Sequence, residues 1–125
     1  MRYQSAEDRL NPIAPEGADE TTLGGYTAVH GRAAAFEGSD GQPYTVGIET
    51  ERAEDDTEHW VAYLVFLRWA QTGSTVMGHL ETGDLTGAPT EVEARAALEA
   101  LPLTSVKVIL DQEIARRAAE DAAEG

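Results

Sequence analysis

The 125-residue chain contains no cysteine. That absence removes disulfides, thiolate nucleophiles and metal centres built on sulfur. Basic residues are scarce, with nine lysines and arginines against 23 acidic side chains and a formal charge of −14; Lys107 is the single lysine. A field of this sign repels phosphate backbones, so no nucleic acid is expected as a partner. Long apolar runs are missing too. The strongest, residues 60–67, falls far short of the roughly 20 residues of a membrane helix, and no membrane partner is expected. The opening MRYQSAEDRL carries no hydrophobic segment behind its first arginine, which predicts no secretory signal and a cytoplasmic protein. No P-loop, GxSxG elbow, HExxH pair or EF-hand loop occurs, so no cofactor and no catalytic residue are assigned.

What is present is a chain 42% apolar, enough for one small domain with a modest core. Its acids favour a well-solvated surface, as in a saline cytoplasm, and leave open a protein partner with a basic surface. They fall in three groups around a nearly uncharged stretch from 59 to 80, which is not the even array that mimicry of a nucleic acid requires.

Residues 1–25 read as a flexible acidic arm, because Asn11-Pro12, Ala14-Pro15-Glu16-Gly17 and Gly24-Gly25 interrupt every period. Residues 26–123 form the domain, and 124–125 a frayed tail. A first hairpin is expected from strands 26–37 and 42–51, joined by a four-residue turn at Gly38-Ser39-Asp40-Gly41. Its register would set Ala33 opposite Val46 and Ala35 opposite Tyr44, unless a one-residue bulge reverses the faces. Residues 52–58, RAEDDTE, read as an acidic surface loop. The aromatic and β-branched segment 60–70 reads as a central strand. It turns at Thr72-Gly73 into strand 74–82, with Trp69 opposite Val76, Leu67 opposite Gly78 and Val65 opposite Leu80. Thr90 and Glu93 make a capping box for a helix with Ala94, Ala97, Leu98 and Leu101 on one stripe, ended by Pro102. A second helix over 105–122, capped by Thr104 or Ser105, would bury Val106, Ile109, Leu110, Ile114 and Ala118.

The expected fold is therefore α+β, a four-stranded mostly antiparallel meander with two C-terminal helices packed on one face. The helices are expected to cover Val61, Tyr63, Val65, Leu67 and Trp69. Leu64, Phe66 and Met77 on the other face would then form an apolar patch, read as an interface between copies of the chain. Folding of the N-terminal arm over that patch is the competing arrangement. The functional expectation is a noncatalytic protein-interaction or assembly module that self-associates. The alternative is a small enzyme or metal-binding protein centred on His30 and His79 with Glu49 and Glu81, if strand order brings these groups into one cleft. Ordinary hydrogen-bonding histidines explain the same residues without a site. Arg32 and Arg68 could hold an anion if adjacent, but among so many carboxylates they suit ion pairs.

Overall fold

The computed structural model describes residues 19–53 and 56–124, with only the backbone of 56–58. Most of the expected arm, residues 1–18, lies outside the described residues, as do 54, 55 and Gly125. Strand β3, Asp56–Trp69, is the 14-residue spine of the sheet. One edge pairs antiparallel with β2, Pro43–Ala53, and the other with β4, Val76–Glu81, and then β5, Thr86–Ala88. The three-residue β1, Ala35–Glu37, lies outside β2, so the order is β1-β2-β3-β4 in an open antiparallel sheet. The expected α+β meander is present, with β5 added. Residues 52, 53 and 56–58 differ from the expected loop because β2 and β3 extend into them: Ala53 pairs with Asp56.

Helices α2, Glu91–Glu99, and α3, Leu103–Glu124, lie C-terminal to the sheet. The Thr90 hydroxyl caps α2 by accepting the Glu93 N–H at 3.1 Å and donating to the Glu93 carboxylate at 3.0 Å. Ala94 and Leu98 are buried in the expected stripe, while Ala97 is exposed. Helix α3 begins directly after Pro102, two residues earlier than expected, and runs through 122 to Glu124. Val106 and Leu110 are fully buried, Ile109 and Ile114 pack against the core, and Ala118 is exposed. Asp111 ties α3 to the first hairpin by accepting the Ser39 N–H at 2.9 Å, and Lys107 donates to it at 2.6 Å.

The N-terminal part of the expected first strand is instead a helix, α1, Leu23–His30. Thr22 caps it through the Gly25 N–H, and Gly31 at φ 67° ends it. Local preference does not account for a helix that starts Leu-Gly-Gly; the anchoring is tertiary. Leu23 is buried and its N–H donates to Leu101 O at 2.8 Å, while Leu103 N–H donates to Thr21 O at 2.8 Å. A Cβ at Gly24 would stand 2.6 Å from Glu99 Cβ, so glycine is what lets α1 approach α2.

Two one-residue register changes set the faces of the sheet. In the first hairpin Gly38 pairs with Gln42, its N–H donating to Gln42 O at 2.9 Å, and Gly41 takes φ 80°. The loop is therefore Ser39-Asp40-Gly41, the three-residue kind that uses a left-handed glycine. Phe36 faces Tyr44 and Ala35 faces Thr45, one step from the expected register. In the second hairpin Trp69 faces Val76 as expected, but the register shifts at Arg68/Trp69 and Met77 becomes an extra residue. Beyond it Leu67 faces His79, Phe66 faces Leu80 and Val65 faces Glu81.

Those shifts decide which side of β3 the helices cover. Leu80 joins Leu64 and Phe66, beside Tyr44 and Val46 of β2, and these residues are buried with Ala62. Leu23, Ala94, Leu98, Val106 and Leu110 close the same core from α1, α2 and α3. The expectation that helices cover the Tyr63/Trp69 face is thus reversed. Among the described residues no helix is long and apolar enough to cross a membrane.

A candidate protein-binding face

The side of the sheet away from the helices is built by the odd-numbered residues of β3. Val61, Tyr63, Val65, Leu67 and Trp69 are each half-buried, and none belongs to the core or packs against it. Val76 extends the row opposite Trp69 and is 45% exposed. Alternation along one strand places these side chains in line, about 6.6 Å apart at two residues per step. Trp69 is held at the end of the row by its indole N–H, which donates to Thr45 Oγ1 at 2.9 Å.

The flanking strands differ in chemistry. On β2 the residues that face this side are Thr45, Gly47, Glu49 and Glu51, opposite Leu67, Val65, Tyr63 and Val61. On β4 they are His79 and Glu81, opposite Leu67 and Val65. The row is therefore a single strand wide, with carboxylates on both sides. Their field converges on Tyr63, whose hydroxyl pKa is raised first by its packing and then by Glu51, Glu81, Glu49 and Asp84. No lysine or arginine among the described residues sits on this side. Arg52 lies over the Trp60 ring, Arg68 donates to Met77 O, Arg95 reaches Ile48 O, and Lys107, Arg116 and Arg117 pair with acids on α3.

Gly47 leaves a gap in this border: beyond its own chain neighbours, a Cβ there would meet no atom within 4 Å. Gly87, opposite Val61, has a different role, because its missing side chain leaves the space that the His59 ring occupies.

The three residues expected to form an interface do not share one surface of the chain. Leu64 and Phe66 are fully buried beneath the helices, whereas Met77, the bulge residue, is 53% exposed. The reason is the bulge, which turns Leu80 toward Phe66 and turns His79 and Glu81 away from it. The other expected cluster is divided. His79 lies 3.6 Å from Glu81, and Glu49 is on the far side of β3 on the same face. His30 sits in α1 on the helix side, 3.3 Å from Glu20 and against Tyr26 with the ring planes tilted by 39° and the centroids 4.3 Å apart. Among the described residues no group of three or more potential ligands could hold a metal ion. Arg32 and Arg68 are likewise apart: Arg32 donates to Tyr26 Oη at 3.1 Å, and Arg68 to Met77 O at 3.2 Å.

The residues of the open row were visible in the sequence but assigned to the wrong side. A usable signal was the pattern of β2, where Tyr44, Val46 and Ile48 alternate with Thr45, Gly47 and Glu49. No protein-family model matches the chain, and no curated protein or solved structure is significantly similar to it.

Proposed function

We propose that the protein is a noncatalytic interaction module that receives a protein partner on the open face of its sheet. The observation that carries this reading is the apolar row of β3 that the other described residues leave uncovered between two acidic borders. A soluble chain gains from keeping such a row only if something covers it in use. The borders select the occupant: a partner with an apolar ridge flanked by lysine or arginine would neutralise Glu49, Glu51 and Glu81 while burying the row. A second copy of the chain fits less well. It would set the same carboxylates against each other, and self-association therefore becomes an outcome to be tested. The alternative enzyme or metal reading draws on the His79–Glu81 contact alone, since His30 lies on the other side of the sheet. The cytoplasm remains the proposed compartment, on the sequence alone.

Amide spectra of the labelled chain, titrated with short mixed Lys/Leu peptides, test the reading. Perturbations are expected on residues 61–69, Gly47, Glu49, Glu51 and Glu81. Perturbations spread over the acidic outer surface of α3, with the β3 row unmoved, would overturn it.

A further inference from the structure

We infer that the occupant of this face is a single amphipathic α-helix of about 18 residues, lying along β3 with basic residues on both flanks. The inference rests on the proposed docking face and specifies the partner's form.

Width comes first. Neighbouring strands lie about 4.8 Å apart, so the border carrying Glu49 and Glu51 and the border carrying Glu81 run roughly 10 Å apart across β3, staggered along it, with Glu81 level with Val65 and Glu49 and Glu51 level with Tyr63 and Val61. A helix with its side chains is about 10–12 Å across, and its apolar stripe spans only part of its circumference. Laid on β3, it would press its stripe onto the row and hold its two flanks over the two acidic borders. An apposed sheet would do otherwise. Its strands would extend over β2 and β4 as well, burying Glu49, Glu51 and Glu81 where water cannot reach them. A lone strand would cover the row but carry its alternate residues away from the borders.

Length and relief agree with a helix. From Val61 to Trp69 the row extends about 27 Å, which about 18 helical residues would match. The gap at Gly47, opposite Val65, leaves open space for a large side chain on the helix flank. Trp69 and Val76 close one end with apolar area, and Tyr63 offers its hydroxyl at the centre of the carboxylate field.

Two synthetic 18-residue peptides of identical Lys/Leu composition serve as probes, one with leucine at helical spacing and one with strict alternation. Affinities are measured by calorimetry at physiological salt for the wild type and three variants. Val65→Gln alters the row, Glu49→Gln/Glu51→Gln/Glu81→Gln the borders, and Glu120→Gln/Asp121→Asn/Glu124→Gln removes the same charge from the end of α3. Amide spectra establish that each variant is folded. The helical peptide is expected to bind the wild type at least tenfold tighter than its isomer. Val65→Gln and the border variant should each weaken it tenfold or more, and the α3 variant less than twofold. Equal or tighter binding of the alternating peptide, still weakened by the border variant, would overturn the helix and leave the docking face standing. Equal weakening by border and α3 variants would overturn both, as would failure of the wild type to bind either peptide. A wild-type dimer that Val65→Gln converts to monomer would assign the face to a second copy and overturn the helix.

Discussion

The two sides of β3 are nearly matched in composition and opposite in fate. Trp60, Ala62, Leu64 and Phe66 face the helices; Val61, Tyr63, Val65, Leu67 and Trp69 face outward. Counted along the strand alone, the outward side has as strong a claim to the core. What separates them is the company each keeps on adjoining strands. Tyr44, Val46, Ile48 and Leu80 accompany the inner row, and Glu49, Glu51, His79 and Glu81 the outer. A layer of helices covers several strands at once, so the burial of a row depends on its neighbours across the sheet as well as on its own hydrophobicity.

Adjacent residues on β3 give the sharpest contrast. Phe66→Ala should lower the free energy of urea unfolding by about 3–5 kcal/mol, as for other large core side chains. Leu67→Ala, one residue away, should cost about 1 kcal/mol, because its side chain remains partly in water. Equal losses would mean that the outer row is buried as deeply as the inner one.

A second contrast concerns binding. Neutralising Glu49, Glu51 and Glu81 together should weaken a basic amphipathic peptide tenfold or more, about 1.4 kcal/mol. The same variant should leave the urea midpoint unchanged or slightly raised, since like charges are removed. It should also move the Tyr63 pKa back toward its ordinary value of 10.0 without reaching it, because packing is the first cause of its elevation. Carbon-13 chemical shifts of labelled tyrosine rings would report this separately from Tyr44. That ring is buried and its hydroxyl bonds to Asp40, which together push its pKa up to about 12.

The smallest effect tests the helix side. Asp111 holds α3 to the first hairpin, and its pKa is lowered by the Lys107 hydrogen bond, with the Ser39 N–H contributing. A lowered carboxylate stabilises the fold fully above its ordinary value of 3.8, and that stabilisation is lost as pH falls through the lowered value. Asp111→Asn should therefore cost under about 1 kcal/mol at neutral pH, as befits a half-exposed pair. The difference between variant and wild type in urea midpoints should close in acid. A gap that widened in acid would contradict the assignment.

Much of the fold was legible because its signals were local. The Thr90/Glu93 cap, the α2 and α3 stripes, a turn between Gly38 and Gly41 and the alternation from Trp60 to Trp69 all act within a few residues. Helix α1 was not legible, since the bonds of Leu23 and Thr21 to the distant Leu101 and Leu103 hold a segment with poor helix preference. A glycine pair in that position reads as a break; here Gly24 serves close approach to Glu99 and Gly25 close approach to the Asp19 carbonyl. The candidate site failed for one further reason. Its residues were all identified, and the side they occupy depends on a bulge for which no residue between Arg68 and Gly78 gives a distinctive mark.

Met77 therefore acts on β4 as an inserted base acts on a coding strand. Upstream of it, at Val76, the pairing is in one frame; downstream, from Gly78 to Glu81, it is in the other. Were Met77 paired opposite Arg68 instead of bulged, the first frame would continue, placing Leu80 opposite Val65 on the outer side and His79 opposite Phe66 on the inner one. An exposed methionine with little packing of its own thus sets the meaning, inside or outside, of every residue that follows it in the strand.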